Sequence, residues 1–363
     1  MTEDARFMAL ALSLGRRGMG RVWPNPAVGC VIVAHGRIIG RGWTADGGRP
    51  HAETQALLQA GPLARGATAY VTLEPCAHHG QTPPCAEALI AAGVGRVVVA
   101  IGDPDPRVAG RGMALLRAAG VQVDLGCQQA AARAGHVGFL SRVTMNRPFI
   151  TLKLALSLDG RIATATGESQ WITGPEARRA VHMLRARHDA VAVGAGTARA
   201  DDPLLTVRDL GIDHQPVRVV VSRRLDLPVD GALARSAGQV PLWICHGAEA
   251  DGARVAVWQA LGARCFPCEI LSGAVNLTSA LAALATAGLT RVLCEGGGGL
   301  AASLLSAGLV DELVVFSAGV LIGAEGTPAL AALGVEQLAD APRFRLADVQ
   351  KTGGDVMQRW LRQ

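Results

Sequence analysis

The chain has 363 residues, of which half are hydrophobic, and a net charge of +5 at pH 7. Its length favours two domains, since single cores rarely grow beyond about 250 to 300 residues, and its apolar content excludes a mainly disordered chain. The modest charge comes almost wholly from scattered arginines, which argues against a nucleic-acid-binding surface.

The first half of the chain alternates between strand-like and helix-like segments. A helix is predicted near the start, where Phe7, Leu10 and Leu14 have helical spacing. Strands are predicted at 28–34, 36–42, 68–73, 96–101 and 121–125, and helices from His51, from Cys85 and near 110–119. Strands that alternate with helices in this way predict a three-layer α/β/α domain.

A second series of elements starts with a strand at 149–156. We therefore place the domain boundary at residue 146, which predicts domains 1–146 and 147–363. Further strands are predicted at 189–196, 217–222, 241–246, 291–296 and 311–317, and helices at 175–187, 251–261, 276–287 and 299–307. Hydrophobic strands separated by helices predict a mainly parallel, doubly wound α/β sheet.

The sequence also bears on the location of the protein. No apolar run reaches the roughly 18 to 20 residues of a membrane span, and the N-terminal segment lacks the features of a signal peptide. These features predict a cytoplasmic protein without membrane contacts. The eight irregularly spaced cysteines favour reduced thiols and metal ligands over a disulfide framework.

The densest group of chemically reactive residues lies at 51–53 and 74–85. It contains His51, Cys76 and Cys85, and one histidine with two cysteines suits catalytic zinc, which leaves its fourth position open for water. Glu53 follows His51 as in the signature of zinc deaminases, where the glutamate transfers protons and is not a ligand. The two cysteines are farther apart here than in that signature.

Other histidines and cysteines compete for the same interpretation. Binding by His78 and His79 in addition would close the open position that hydrolysis needs, so we expect both to be loop residues that line the site. Cys265 and Cys268 have the spacing of a redox or zinc motif. Because no second pair lies nearby, we expect their role to be structural or incidental.

The first half resembles the RibD family of bifunctional riboflavin-biosynthesis deaminase-reductases, and the resemblance covers nearly the whole chain. In the first half it rests on the segments 24–29, 48–53, 73–85 and 103–112. The proline-rich insert between the two cysteines is more specific than the general deaminase signature. The resemblance implies a cytidine-deaminase-like fold and hydrolytic deamination of 2,5-diamino-6-ribosylamino-4(3H)-pyrimidinone 5′-phosphate.

The resemblance also implies roles for individual residues. One zinc ion per chain would be held by His51, Cys76 and Cys85, and it would supply hydroxide at neutral pH. Glu53 would accept the proton of water and deliver it to the departing amine. Asn25 would hydrogen-bond the ring. Many relatives have a histidine where this chain has Thr44, so a contact made there would fall to Arg49 or His78 instead.

Three segments of the second half, 153–173, 194–208 and 295–299, resemble the reductase domain of the same family, which is similar in fold to dihydrofolate reductase. The glycine run at 296–299 follows a strand and precedes a helix, an arrangement that binds phosphate but is also typical of a flexible turn. The resemblance implies NADPH-dependent reduction of the ribosyl group to a ribityl group. Lys153 or Asp201 would donate the proton.

Matched positions imply two sets of contacts in that domain. The expected NADPH contacts are Ala155, Trp171, Thr197, Asp201, Ser222, Gly297, Gly298 and Gly299. The expected substrate contacts are Ser169, Arg185, Leu204, Leu205, Arg208 and Glu295. The two arginines would hold the substrate phosphate, because a guanidinium group forms bidentate, charge-assisted hydrogen bonds.

The strand predicted at 217–222 suggests how NADPH is told from NADH. Parallel strands present ligand contacts at their carboxyl ends, and Ser222, Arg223 and Arg224 lie at that end. A serine hydroxyl and an arginine there would bind the 2′-phosphate of NADPH. The alternative is that both arginines are solvated loop residues.

Two other interpretations remain open from the sequence. The chain is alternatively a nucleoside or tRNA deaminase, or its second half is a non-catalytic reductase-like module that serves assembly. The long cysteine insert counts against the first, and Lys153, Asp201 and Glu295 together count against the second. We expect a small phosphorylated pyrimidine substrate, no nucleic-acid partner, and a homodimer formed through the reductase half.

Overall fold

The computed structural model describes residues 2–79 and 83–363. The chain divides into two compact units, an amino-terminal unit Met1–Asn146 and a carboxyl-terminal unit Arg147–Gln363. Within the described residues, no helix has the length and apolar character needed to cross a bilayer.

The amino-terminal unit alternates helices and strands. Its elements are α1 (Glu3–Gly15), β1 (Gly29–Ala34), β2 (Arg37–Trp43), α2 (Ala52–Ala60), β3 (Thr68–Val71), α3 (Cys85–Ala91), β4 (Arg96–Val99), α4 (Arg111–Ala118), β5 (Gln122–Leu125) and α5 (Gln129–Met145). The strands form one sheet in the order β2-β1-β3-β4-β5. β1 is antiparallel to both of its neighbours, whereas β3, β4 and β5 are parallel.

Helix α2 lies very close to strand β2, and glycine makes this approach possible. A Cβ atom on Gly40 would lie 2.2 Å from the carbonyl oxygen of Ala56, and one on Gly42 would lie 2.0 Å from that of Ala52. Real Cβ atoms do not approach backbone oxygens so closely, so no other residue fits at either position. The two glycines therefore set the position of the helix that carries Glu53.

Helix α5 was not predicted from the sequence. Its 17 residues include Gly135 and Gly138, which lower helix propensity, and its apolar residues do not follow one clear face. The helix forms because Phe139 and Ala132 are buried in the core of the unit. Tertiary packing thus overrides a weak local signal.

The carboxyl-terminal unit contains one large sheet with helices. Its elements are β6 (Phe149–Ser157), β7 (Arg161–Ala163), α6 (Pro175–Ala186), β8 (Ala190–Gly194), α7 (Ala195–Asp201), β9 (Val217–Val221), α8 (Ala232–Arg235), β10 (Leu242–Gly247), α9 (Gly252–Ala260), β11 (Arg264–Cys268), β12 (Ile270–Leu271), β13 (Ala274–Val275), α10 (Leu277–Thr286), β14 (Arg291–Cys294), α11 (Gly298–Ser306), β15 (Glu312–Ala318), β16 (Thr327–Pro328), β17 (Phe344–Thr352) and β18 (Asp355–Arg362).

The large sheet has nine strands in the order β11-β10-β9-β8-β14-β6-β15-β18-β17. The strands from β11 to β15 pair in parallel, which confirms the mainly parallel sheet. β18 and β17 close the order as an antiparallel hairpin. The carboxyl ends of β6, β8, β9 and β14 therefore meet at one edge of the sheet, where parallel sheets bind ligands.

In this unit one predicted strand was too long, and one hairpin was missed. The strand expected at 189–196 ends at Gly194, and α7 begins at the next residue. Ala195 and Gly196 continue the small, apolar character of the strand, so the sequence gives no boundary signal there. The terminal hairpin was not predicted, because β17 is largely exposed and has little of the apolar alternation that marks a half-buried strand.

Candidate active sites

The three expected metal ligands of the amino-terminal unit lie together. Nδ1 of His51 is 3.3 Å from Sγ of Cys85 and 3.7 Å from Sγ of Cys76. All three ligand atoms lie within 4.8 Å of one another, the one such group that could hold a metal ion in the part of the chain that the structure describes. The distances are compatible with three ligands around one ion.

Helix starts position two of these ligands. His51 is the N-cap residue of α2, but its side chain makes no capping hydrogen bond and its ring faces the two sulfur atoms instead. Cys85 is the first residue of α3, and its backbone N–H donates to Sγ of Cys76 at 3.3 Å. The hydrogen bond between the two cysteines lowers the pKa of Cys76 to about 4, and His51 contributes to this. A thiolate, the form that binds metal, is thus favoured at Cys76.

Glu53 lies in the first turn of α2 and is only 4 % exposed. Burial raises the pKa of its carboxyl group, and the neighbouring charge of Cys76 raises it further, whereas His51 lowers it. A carboxyl group with a raised pKa gains and loses a proton more easily near neutral pH. This is the property that a proton-transferring glutamate needs.

A cavity of about 280 Å³ adjoins these residues. His51, Glu53 and Cys76 line it, and so does the expected ring contact, Asn25. The cavity therefore brings the metal-binding group, the acid-base residue and a neutral amide into contact with the same volume.

Thr44 also lines the cavity, but the backbone already uses its hydroxyl group. The hydroxyl donates to the carbonyl oxygen of Pro26 at 2.9 Å and accepts from the N–H of Val28 at 3.0 Å. The side chain is 2 % exposed. Thr44 therefore holds the 26–28 segment beside the cavity and provides no charged contact there.

Glu74 is an acidic residue of the cavity wall with a structural role. Its carboxylate accepts hydrogen bonds from the backbone N–H groups of Asp103, Gly110, Gly112 and Met113, at 3.0 to 3.3 Å. Three of these N–H groups lie at the start of α4, which otherwise leaves them unpaired. Glu74 thus fixes the loop between β4 and α4 against the cavity.

That loop contributes two carboxyl groups to the cavity. The Asp103 carboxylate accepts from the N–H of Asp105 at 2.9 Å, and burial raises the pKa of Asp103 to about 6. Asp105 forms a two-point ion pair with Arg107, which lowers the pKa of Asp105. The two neighbouring acids therefore differ in their tendency to be charged.

The two histidines between Cys76 and Cys85 have different surroundings. His78 lines the cavity as expected, whereas His79 is largely exposed and lies 3.1 Å from a carboxylate oxygen of Glu87. Residues 80–82 of the same insert lie outside the described residues.

Sequence reasoning missed two residues of the cavity. Phe139 and Arg142 both come from α5, the helix that was not predicted. A regular helical pattern of apolar residues would have predicted this helix, but its glycines interrupt that pattern.

In the carboxyl-terminal unit, several expected site residues lie at the carboxyl edge of the parallel strands. Glu295 directly follows β14, and its carboxylate forms a two-point ion pair with Arg185 of α6. Burial alone would raise the pKa of Glu295, but the charges of Arg185 and Lys153 outweigh it and hold the pKa below its usual range. Burial lowers the pKa of Lys153, which eases proton donation.

The glycine run follows the same edge. The N–H of Gly297 donates to the hydroxyl of Thr197 at 3.0 Å, so α7 and the start of α11 meet there. A Cβ atom on Gly297 would lie 3.2 Å from that hydroxyl, and one on Gly298 would lie 3.2 Å from the carbonyl oxygen of Ala329. The glycines permit this close packing and leave amides at the start of α11.

Three further expected substrate contacts lie on the 204–208 segment, which is close to α6. Leu205 is buried and Leu204 is 39 % exposed. The side chain of Arg208 is exposed, and its backbone N–H donates to Nδ1 of His182 at 3.2 Å. Sequence reasoning did not single out His182, since a lone histidine on a helix carries no motif.

The remaining expected contacts lie on several elements. Trp171 is 66 % exposed, and the guanidinium group of Arg178 lies 4.7 Å from its ring centre. Ser169 and Asp201 are exposed, and Asp201 is the last residue of α7. Ala155 lies within β6, two residues after Lys153.

Comparisons with known proteins identify both units. Residues 1–101 match the family described as "Cytidine and deoxycytidylate deaminase zinc-binding region", and residues 148–358 match "RibD C-terminal domain". The chain is 43 % identical to the riboflavin biosynthesis protein RibD of Escherichia coli K12, over 98 % of both chains. It belongs to the RibD family. It is therefore an enzyme of riboflavin biosynthesis with a deaminase and a reductase domain.

Solved structures of the RibD family agree. The chain superposes on Acinetobacter baumannii RibD with a TM-score of 0.90 at 40 % identity, covering 99 % of each chain. It superposes on the Thermotoga maritima diaminohydroxyphosphoribosylaminopyrimidine deaminase/5-amino-6-(5-phosphoribosylamino)uracil reductase with a TM-score of 0.87 at 32 % identity, again over 99 % of each. The predicted fold class is confirmed, and the interpretation as another deaminase with a non-catalytic module is not favoured.

Within this member of the RibD family, the residues expected at the 2′-phosphate have different surroundings. The Ser222 hydroxyl is buried and donates to Asp226 at 3.2 Å. Arg223 forms an ion pair with Glu249 and donates to the carbonyl oxygen of Gly273. Arg224 has an exposed side chain. Of the two arginines, only Arg223 has a carboxylate partner among residues 2–79 and 83–363.

Cys265 and Cys268 lie on β11 of the same unit. Cys268 is buried, and its thiol donates to the carbonyl oxygen of Phe266 at 3.4 Å. Neither cysteine belongs to a group that could hold a metal within the described ranges 2–79 and 83–363. Their surroundings are those of packed strand residues.

Proposed function

We propose that the amino-terminal unit deaminates 2,5-diamino-6-ribosylamino-4(3H)-pyrimidinone 5′-phosphate. The carboxyl-terminal unit then reduces the product with NADPH to 5-amino-6-ribitylamino-2,4(1H,3H)-pyrimidinedione 5′-phosphate. The observation that carries the proposal is the meeting of His51, Cys76 and Cys85 beside a cavity that Glu53 also lines. The name of the Thermotoga relative supports the substrate class for both steps.

The donor set of the amino-terminal unit fits zinc. One imidazole nitrogen and two sulfur atoms are typical of a catalytic zinc site that keeps one position open. A zinc ion held by these three residues would supply hydroxide from water at neutral pH. His78 does not belong to the metal-binding group, so the three-ligand interpretation needs no change.

Glu53 and Asn25 have different roles in deamination. Glu53 holds the proton taken from water and passes it to the amine that leaves, a role commonly worth about 10² to 10⁴ in rate. Asn25 orients the ring through its side-chain amide. The cavity wall around Glu53 limits access of bulk water, which keeps the pKa of that carboxyl group raised.

In the carboxyl-terminal unit, the start of α11 and the hydroxyl of Thr197 fit a phosphate-bearing dinucleotide. Helix starts bind phosphate because their N–H groups are unpaired. NADPH would supply the hydride. Lys153 is half-buried and has a lowered pKa, and the charge of Glu295 acts on it. It is therefore the better placed of the two expected proton donors, since Asp201 is exposed.

Coenzyme choice rests on the loop after β9. Because Arg223 is paired with Glu249, Arg224 is the residue that we assign to the 2′-phosphate of NADPH. The partners of the enzyme are small molecules, and its self-association as a dimer through the carboxyl-terminal unit stays a prediction.

A kinetic experiment tests the reductase assignment directly. NADPH and NADH oxidation are followed with the deaminated intermediate as substrate. We expect oxidation only when the intermediate is present, and a preference for NADPH that falls about tenfold in Arg224→Ala but not in Arg223→Ala. Oxidation that does not require the intermediate would contradict the proposal.

A further inference from the structure

The loop between β7 and α6 carries two of the expected ligand contacts of the reductase, Ser169 and Trp171. Both side chains are exposed, and the tryptophan ring is 66 % exposed although aromatic rings gain free energy when they are buried. An exposed side chain on a loop loses conformational freedom when it binds a ligand, and that loss weakens binding. The loss is smaller if the protein holds the ring in place beforehand.

Hydrogen bonds fix both ends of this loop. At its start, Thr164 closes a turn: its N–H donates to the carbonyl oxygen of Glu168 at 2.9 Å, and its hydroxyl accepts from the N–H of Glu168 at 3.1 Å. At its end, the N–H of Gly174 donates to the buried carboxylate of Asp355 at 2.7 Å. Residues 169–173 therefore connect two fixed points.

Arg178 of α6 contacts the connecting residues twice. Its Nη1 donates to the carbonyl oxygen of Thr173 at 2.8 Å, and its Cζ lies 4.7 Å from the ring centre of Trp171. A guanidinium group at this distance is attracted to the electron-rich face of a tryptophan ring. The hydrogen bond fixes the guanidinium group relative to the loop, so the ring contact favours one orientation of Trp171.

The carboxylates near this loop lie beside its backbone at Gly174. A Cβ atom on Gly174 would lie 3.5 Å from Oδ2 of Asp355 and 3.7 Å from Oε2 of Glu176. Among residues 2–79 and 83–363, the ion pairs do not include Arg178. Its positive charge therefore acts on the Trp171 ring without a carboxylate bound to it.

We propose that Arg178 is a positioning residue of the reductase, which holds the Trp171 ring in the orientation that contacts NADPH. This inference rests on the proposed function, because it takes NADPH as the coenzyme and Trp171 as one of its contacts. When the ring is oriented in advance, a larger fraction of the protein is ready to bind, and the apparent Kd falls by that factor. Arg178 acts through Trp171 and not by touching the coenzyme.

A double-mutant cycle tests whether Arg178 acts through Trp171. The Kd for NADPH is measured by calorimetric titration of the full chain for wild type, Arg178→Gln, Trp171→Ala and the double variant. We expect Arg178→Gln to raise the Kd about two- to fivefold, the factor that corresponds to an exposed cation–π contact. In the Trp171→Ala background the same change should leave the Kd unchanged, since the ring that Arg178 positions is gone.

A fluorescence measurement follows the ring without the coenzyme. The emission of Trp171 is obtained as the difference between each protein and its Trp171→Phe counterpart. Quenching of that emission by acrylamide should increase in Arg178→Gln, because the guanidinium group no longer covers the ring. Arg178→Lys keeps the positive charge and should recover part of the wild-type Kd and quenching. Arg187→Gln, which removes a charge at the exposed residue directly after α6, should match wild type.

The readouts separate this inference from the proposed function. Circular dichroism and unchanged deamination show that each variant is folded. A rise in Kd of the same size with and without Trp171, or unchanged Kd and quenching in Arg178→Gln, would overturn the positioning role while leaving the reductase assignment in place. A wild-type protein that does not bind NADPH, or does not oxidise it with the deaminated intermediate, would overturn the proposed function itself.

Discussion

Arg185 and Glu295 are joined by two hydrogen bonds, from Nε to Oε1 at 2.6 Å and from Nη2 to Oε2 at 2.9 Å. The third nitrogen, Nη1, donates to the carbonyl oxygen of Thr206 at 2.8 Å. Both side chains are about nine-tenths buried, with exposures of 12 % and 9 %. The guanidinium nitrogens of Arg185 are thus all hydrogen-bonded within the protein. We therefore expect the exposed Arg208 to be the main phosphate ligand of the reductase.

This relationship predicts different outcomes for the two arginines. Arg208→Gln should raise KM for the deaminated intermediate about 10- to 100-fold without loss of stability, since it removes a charge-assisted contact to substrate. Arg185→Gln leaves Glu295 buried without its partner and should destabilise the unit by about 3 to 5 kcal/mol. Steady-state kinetics and denaturant unfolding measure the two effects. Arg187→Gln, at the exposed residue directly after α6, serves as the control. A rise in KM in Arg185→Gln but not in Arg208→Gln would show that Arg185, and not Arg208, is the main phosphate ligand.

His182 positions the loop that carries Arg208. Its Nδ1 accepts the backbone N–H of Arg208, so His182→Ala should loosen the loop and raise KM for the intermediate several-fold, with kcat nearly unchanged. The side-chain oxygen of asparagine lies close to where Nδ1 lies in histidine, so His182→Asn should restore KM. If the alanine and asparagine variants have the same KM, the hydrogen bond has no positioning role.

The metal site makes a prediction with two contrasting variants. Cys85→Ser should lose most of the bound zinc, because a neutral hydroxyl group is a poor replacement for a thiolate. Glu53→Gln should keep the zinc and lose deamination by about 10² to 10⁴, since we assign proton transfer and not metal binding to this glutamate. Metal analysis and ammonia release are measured on the same samples. Full retention of zinc in Cys85→Ser would show that the ligand set is wrong.

His136 of α5 predicts a loss of stability in mild acid. Burial lowers the pKa of its imidazole from 6.5 to about 4, so the folded chain keeps it neutral while the unfolded chain protonates it below pH 6.5. Stability is therefore complete above pH 6.5 and falls by up to about 3 kcal/mol as the pH drops towards 4. His136→Gln keeps a polar group near Thr72 and should remove this dependence. Amide hydrogen exchange of α5 at several pH values measures it, and an identical pH profile in the variant would contradict the prediction.

The sequence predicted most strands and helices because apolar residues mark them directly. It also predicted His51, Cys76, Cys85 and Glu53, since their spacing is itself a chemical signature. What it could not predict depends on tertiary contacts. Helix α5 is stabilised by packing of residues such as Phe139 rather than by local propensity, so the cavity residues it carries were missed.

The ion pairs of the carboxyl-terminal unit could not be predicted from the sequence either. Nothing in the local pattern shows that Arg185 is held by Glu295, which is 110 positions away along the chain, or that Arg223 is held by Glu249. Arg185 was therefore expected to face the substrate, and Arg223 to face either the coenzyme or solvent. The ion pairs form only when the strands and helices of the sheet bring distant residues together.

The most direct test of the central claim is mass analysis of the products formed from the diaminopyrimidinone phosphate. The wild type should yield the deaminated intermediate without NADPH and the ribityl product with it. Glu53→Gln should leave the substrate unchanged but reduce added intermediate at a near wild-type rate, and Lys153→Gln should accumulate the intermediate even with NADPH. Loss of both activities in either variant, with both units folded, would contradict two separate active sites in one chain.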